Sequence, residues 1–229
     1  PAIIRQMEDI GCNVTQCYGL TEVYGPHSLC AWKEEWDGLS QEERAKIKAR
    51  QGVPYITTSY MDVLDTETME PVPHDGETIG EIVMWGNNVM LRYHNKPEET
   101  EKAFKGGVFH SGDLAVTHPD GYVEIKDRLK DIIISGGENI SSVEVENVLY
   151  EHPDVLEAAV VGVPHEKWQE VPKAYIKLKD GATVTAEDIQ DFCRQRIARY
   201  KVPKEIEFNE LPKTATGKIQ KHKLRSGNR

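Results

Sequence analysis

Basic side chains are outnumbered in this chain, with 28 Lys and Arg against 38 Asp and Glu and a formal net charge of −10 over 229 residues. Non-specific binding to nucleic acid draws on cations that neutralise phosphates, so a nucleic-acid partner is not expected. Long apolar runs are missing too. The longest near-continuous one, residues 158–163, is far short of the ~18 residues that read as a membrane span. The four cysteines, Cys12, Cys17, Cys30 and Cys193, have neither CxxC spacing nor the density of a disulfide framework, so reduced thiols in a cytoplasmic protein are the reading. Eight histidines are scattered without an HExxH pattern or a helical i, i+4 pair. A histidine metal site is therefore not expected, and each is read as a surface residue. The opening PAIIRQMED has no basic start, apolar core or cleavage site of a signal peptide, and reads as the middle of something longer.

What is present is ordinary globular material, 38% hydrophobic and 29% charged, enough for one large domain or two small ones. Ile3, Ile4, Met7 and Ile10 recur at helical spacing and stop at Gly11, a residue tolerant of positive φ. Residues 12–17 read as a strand emptying into a polar turn, YGLTE. Ser40 and Glu43 have the spacing of a capping box and start a second helix that should end near Gly52. From residue 60 to 126 the pattern changes to short apolar runs, at 61–64, 79–85 and 122–125, separated by Pro, Gly and Asp turns. One helix opening on Pro97 interrupts this β-rich unit. After Asp127 and Arg128 the order is strand 131–135, helix 142–151, strands 155–163 and 173–179, helix 185–200 and strand 205–209. Val145, Val148 and Leu149 form one buried helical stripe, and Ile189, Phe192, Cys193, Arg196 and Ile197 the other.

Five segments carry candidate chemistry, each with a plainer alternative. In Tyr18-Gly19-Leu20-Thr21-Glu22, a hydroxyl followed by a carboxylate can meet magnesium on a phosphate, or can cap the next segment. Asp113 in HSGDL can accept from a ribose diol, or serve as a turn residue. Asp127-Arg128-Leu129-Lys130-Asp131 packs four charges at the boundary between the β-rich unit and the α+β region after it, and solvated charges are its plain reading. Gly136 and Gly137 let backbone approach a ligand, or make a tight turn. Lys218, in PKTATGK, offers a point charge to a phosphate or carboxylate. That loop is not a Walker A sequence, since Pro212 and Ile219 stand where it needs Gly and Ser or Thr.

Together, and in this order, YGLTE, GEIVMWG (80–86), HSGDL, DRLKDIIISGGENIS and PKTATGK resemble the adenylate-forming superfamily of AMP-forming acyl-CoA synthetases, luciferases and adenylation domains. The stretch 32–51 together with DRLKDIIISGGENISSVEVE is similar to the branch of medium-chain fatty-acyl-CoA and 3-methylmercaptopropionyl-CoA ligases. The resemblance implies an α/β and α+β fold: the end of a large AMP-binding domain with its β-rich subdomain at 1–128, then a mobile α+β domain at 129–229. It implies a ligase that joins a carboxylic acid to AMP at the expense of ATP and passes the acyl group to coenzyme A, with Mg2+ in attendance. Catalytic roles fall to Lys218, Thr21 and Glu22, with Glu22 holding the metal. Gln16, Tyr18, Gly19, Asp113, Ile125 and Arg128 surround the nucleotide. Lys130 is the hinge, and Gly136, Gly137, Glu138 and Asn139 lie on the coenzyme A path. For a full-length parent the resemblance admits a homodimer.

The Ser/Thr/Gly-rich loop ending in Pro-Lys-Gly that grips the β- and γ-phosphates is not in this sequence, nor is most of an acyl pocket. An inactive fragment is therefore expected, with its first ~55 residues poorly ordered for want of a sheet to pack on. A non-catalytic AMP- or coenzyme A-binding module, and an adenylation domain serving a carrier protein, are the alternatives. No carrier motif comes after the lysine loop, which counts against the second.

Overall fold

Two units of different make-up meet in the chain between Leu129 and Lys130, and the computed structural model describes residues 1–226. In the first unit, α1 (Ala2–Asp9) ends as its sequence suggests. Gly11 takes φ +86°, its N–H donates to Glu8 O at 2.9 Å, and the Cys12 N–H donates to Met7 O at 3.0 Å. Those two bonds cap the last carbonyls in a Schellman arrangement. The expected strand at 12–17 shrinks to β1 (Cys17–Tyr18), because its partner β2 (Ser28–Leu29) is only two residues long. The helix α2 (Gln41–Lys48) begins on the anticipated capping box, Ser40 accepting from Glu43 N while the Glu43 carboxylate accepts from Ser40 N at 2.9 Å. Ser40→Ala should lower stability by about 1 kcal/mol, read as a shift of the urea midpoint with unchanged slope.

The first 55 residues have more to pack on than expected. With β3 (Val53–Pro54) they close a three-stranded antiparallel sheet. Trp36 stands edge-on between Trp32 and Tyr122, with both ring separations 5.2 Å, and the Tyr122 hydroxyl donates to Ala31 O at 2.7 Å. His27 corrects the surface reading of the histidines. It is fully buried, with Nε2 3.2 Å from the Tyr60 carbonyl and Nδ1 3.2 Å from the Asn88 amide. Burial lowers its pKa, so the neutral ring is the form that fits.

Next comes a four-stranded antiparallel meander: β4 (Tyr60–Leu64), β5 (Gly80–Trp85), then α3 (Pro97–Ala103) with Pro at its first turn, β6 (Phe109–Thr117) and β7 (Val123–Arg128). Val63, Ile82, Met84, Phe109 and Ala115 fill its core. The strand β6 is a correction, since HSGDL reads as a turn by composition but lies inside a nine-residue strand.

In the second unit, β8 (Ile133–Ser135) and β9 (Glu138–Ile140) form a hairpin, followed by α4 (Ser142–Tyr150), β10 (Val155–His165), β11 (Gln169–Leu178), α5 (Ala186–Arg194), β12 (Glu205–Phe208) and α6 (Lys221–Ser226). The expected helix to residue 200 stops at Arg194, with a separate single turn at Arg199–Lys201. β9 and α6 have no counterpart in the sequence pattern. The apolar run 158–163 is explained by burial on both faces of β10. Ala158 and Val160 face Leu149 and Ile189, while Ala159, Val161 and Val163 pack with Tyr175, Leu211 and Leu224. Strands covered on both sides lose the in–out alternation, and Leu224 of α6 is part of the second cover. An ion pair of 2.7 Å from Arg225 to Asp131 ties that helix to the start of the unit.

Candidate functional site

Within the first unit, three of the residues singled out by sequence converge. Tyr18 ends β1 with its ring buried, and its hydroxyl donates to Asp113 Oδ2 at 2.6 Å. Arg128, directly across the ladder from Asp113, donates from Nε to Oδ1 at 3.0 Å. Asp113 is 4% exposed and the Arg128 side chain 49%, so a buried carboxylate is fixed by one buried hydroxyl and one cation that still reaches solvent. Burial, and next the Asp113 charge, push the Tyr18 ionisation upward, which keeps the phenol a donor. A carboxylate so held presents acceptors in a fixed direction, suited to a vicinal diol.

Gly19 is needed for close approach. A Cβ there would lie 2.0 Å from Gly25 O, so the chain folds back on itself and brings the single turn Thr21–Val23 forward. Thr21 is exposed. Glu22 is half-buried, one carboxylate oxygen accepting from the Tyr93 hydroxyl at 3.0 Å while its backbone oxygen accepts from Met90 N at 2.6 Å. Among the described residues no three His, Cys, Asp or Glu cluster as metal ligands. One carboxylate beside a hydroxyl is nonetheless a donor set that suits Mg2+, which takes one or two protein carboxylates and completes its shell with water and phosphate oxygens. Ile125 on β7 donates its N–H to Gln51 Oε1 at 2.6 Å. Gln16 enters through its backbone, accepting from Cys30 N at 2.9 Å.

In the second unit, Lys130 is exposed at its first position. Gly136 and Gly137, at φ +62° and +89°, are the two central residues of the β8–β9 hairpin, where Ser135 pairs with Glu138. Two successive positive φ values make a type I′ turn and call for glycine. The tight-turn alternative is thus realised at this position. Gly136 also has Trp168 against it, 2.8 Å from where a Cβ would be, while nothing lies within 4 Å of one on Gly137. Glu138 and Asn139 are exposed beside them. Lys218 is exposed on a loop closed by antiparallel pairing of Lys213 with Ile219. Thr214 N donates to Lys218 O at 2.8 Å, and Lys218 N to Thr214 Oγ1 at 3.1 Å. The loop is held by its backbone and leaves the ammonium to solvent.

Sequence reasoning passed over four residues that shape these sites. Tyr93 holds Glu22, Trp168 covers Gly136, and Glu81 and His110 brace the bulge before Asp113. Glu81 and His110 both sit in the motif segments GEIVMWG and HSGDL, which was the signal that could have found them. Tyr93 and Trp168 had none.

Comparison with known proteins places these features in company. Residues 1–94 match the family model described as AMP-binding enzyme, and residues 144–218 the one described as AMP-binding enzyme C-terminal domain. The chain is 56% identical to an Arabidopsis thaliana protein named acetate/butyrate–CoA ligase, peroxisomal, and 57% to one from Humulus lupulus named acetate–CoA ligase, in each case over 99% of this chain and 41% of the relative. A Metallosphaera sedula protein named 4-hydroxybutyrate–CoA ligase is 53% identical with the same coverage. The crystal structure of ATP-bound MatB from Rhodopseudomonas palustris superposes with a TM-score of 0.84 at 31% identity, over 99% of this chain and 43% of that one. The chain therefore spans about two fifths of the length of the curated relatives it matches.

Proposed function

Because this chain belongs to the AMP-binding enzymes, we propose that it supplies the ribose-binding, hinge and lysine-bearing part of an acid–thiol ligase that makes acyl-CoA through acyl-AMP. The observation that carries the reading is the buried Asp113 carboxylate held between Tyr18 and Arg128 in a chain more than half identical to proteins named CoA ligases. In the first half-reaction a carboxylate oxygen attacks the α-phosphorus of ATP and pyrophosphate leaves. In the second the coenzyme A thiol attacks the acyl carbon and AMP leaves.

Asp113 and Arg128 take the ribose hydroxyls, Tyr18 and Gly19 flank adenine, and Gln16 and Ile125 border the nucleotide. Thr21 orients the α-phosphate and the acid, and Glu22, steadied by Tyr93, is the residue that would hold Mg2+. When bound, that cation supplies neutralising charge for phosphate oxygens. Lys218 places its ammonium where negative charge gathers between carboxylate and phosphate. Lys130 is the pivot on which the second unit changes position between the half-reactions. The Gly136–Gly137 turn, with Glu138 and Asn139, borders the path of the coenzyme A thiol.

The relatives' names mention acetate, butyrate and 4-hydroxybutyrate, which favours a short acid here over the medium-chain acids suggested by the motif wording. Free thiols at Cys12, Cys17, Cys30 and Cys193 fit a reducing compartment, for which cytoplasm is the reading, although the Arabidopsis relative's name says peroxisomal. No helix among the described residues is long and apolar enough to cross a membrane.

The test is ATP–pyrophosphate exchange by a ligase containing this chain together with the remainder its relatives have, with acetate, butyrate and octanoate supplied separately. Exchange that depends on a short acid is expected. AMP binding without exchange for any of the three would leave a nucleotide-binding module in place of an enzyme.

A further inference from the structure

Glu81 and His110 have no part in the reaction as assigned, yet they brace the backbone that carries Asp113. Along β5 and β6 the register runs Glu81 to Leu114 and then Val83 to His110, so Ser111, Gly112 and Asp113 stand against Ile82 alone. Gly112 takes φ +74°. Such a bulge leaves ladder groups unpaired, and here side chains take them up. Ser111 Oγ donates to Ile82 O at 2.7 Å and accepts from Asp113 N at 3.1 Å. Gly112 N donates to Glu81 Oε1 at 2.8 Å, and Gly112 O accepts from Leu129 N at 2.9 Å.

The second oxygen of Glu81 lies 2.8 Å from His110 Nδ1, and His110 Nε2 lies 3.0 Å from the carbonyl oxygen of Lys105. The imidazole therefore spans from the main chain at Lys105 to the carboxylate that receives the Gly112 N–H, so that one side chain holds the other in place.

We infer that His110 and Glu81 act as a hydrogen-bonded brace that sets the aim of Asp113, which makes His110 a positioning residue for nucleotide binding. The inference rests on the reading that Asp113 receives the ribose. Glu81 is 7% exposed, and a carboxylate that deeply buried needs a partner charge. Without the His110 ring, Glu81 loses the partner of its second oxygen and turns toward water, which weakens its bond to Gly112. The charged groups nearby are Glu81 from β5 and, three residues along β6, Asp113, whose charge Arg128 from β7 already meets. Lys105, in the single turn after α3, contributes its main-chain oxygen. Loss of the ring is therefore felt first at Glu81 and Gly112.

The test uses the 229-residue chain with nitrogen-15 in the backbone. His110→Ala removes both contacts of the ring and should shift the Gly112 and Asp113 amide resonances, whereas His110→Gln, which keeps one donor for Glu81, should return them toward the parent positions. Amides that stay still in His110→Ala overturn the inference. Glu81→Gln is a second variant should the first fail to fold, and should shift the Gly112 amide in the same way. In the intact ligase His110→Ala should raise the KM for ATP about tenfold, the size expected for losing one hydrogen bond to a charged group, with kcat close to the parent value, and a fall in kcat with KM unchanged also overturns the inference. Asp113→Asn separates the two ideas. If it leaves the KM for ATP unchanged the ribose reading fails, whereas the coupling of His110 to Gly112 is decided by the spectra alone.

Discussion

Lys218→Ala in the intact ligase should slow acyl-AMP formation by ~10² to 10³, the usual cost of removing one donor that meets charge developing in a transition state. The same variant, given preformed acyl-AMP, should make thioester at close to the parent rate, because the thiol step does not create the charge that the ammonium meets. The fold of the loop does not depend on the lysine side chain. It is closed by Thr214 N to Lys218 O, Gly217 N to Thr214 O at 2.9 Å, and Lys218 N to Thr214 Oγ1, all of which an alanine keeps. Gly217 supplies the positive φ of +85° that turns the loop back. The melting temperature should therefore be unchanged. Equal loss in both half-reactions would show that Lys218 acts otherwise than by charge at the phosphate, and a lowered melting temperature would show that the loop needs the side chain after all.

Features governed by neighbours along the chain are legible in the amino-acid sequence itself. The capping box of Ser40 and Glu43, Pro97 at the start of α3, and Gly11 after α1 each depend on residues within one turn. Helical spacing picks out Val145, Leu149, Ile189 and Cys193, which are wholly inside, whereas Val148, Phe192 and Ile197 are half-buried and Arg196, beyond the end of α5, is exposed. Features decided across the chain are not legible in that way. HSGDL looks like a turn by its composition, but the Gly112 N–H is taken by Glu81, 31 residues earlier, and strand pairing continues on both sides. His27 looks superficial because its partners, Tyr60 and Asn88, lie 33 and 61 residues away.

The candidate site divides in the same way. Tyr18, Asp113 and Arg128 can be named from their motifs, yet the bond from Tyr18 to Asp113 spans 95 residues, and only the fold shows that one residue holds the other. The hairpin at Gly136 and Gly137 illustrates a different limit. Two adjacent glycines are compatible with a tight turn and with close approach of a ligand, and the backbone angles demonstrate the first while leaving Gly137 open on the side where a side chain would project.

Gly52→Ala is expected to be the most damaging single methyl in the first unit. Gly52 joins the amino-terminal sheet to the meander, with its N–H donating to Val123 O at 3.1 Å and its oxygen accepting from Val123 N at 2.8 Å. Its φ is +82°, and a Cβ would sit 2.0 Å from Leu29 O and 2.5 Å from Cys30 Cα. Those are backbone atoms of β2 and the residue after it, so no flexible side-chain end can move aside. The left-handed conformation costs an alanine ~1 to 2 kcal/mol, and forcing strands apart adds ~1 to 3 kcal/mol. The expected loss is about 2 to 5 kcal/mol, large against the ~5 to 15 kcal/mol of a whole domain. Gly121 is the control, because it has the same φ of +82° with nothing within 4 Å of its Cβ position. Gly121→Ala should register the conformational cost alone, so the difference between the two urea midpoints isolates the contact with β2. Equal midpoints would mean that β2 yields freely, and the proposed anchoring of the first sheet at Gly52 would be wrong. Fluorescence of Trp32 and Trp36, which pack beside Tyr122, should report the Gly52 variant's loosening before the meander itself unfolds.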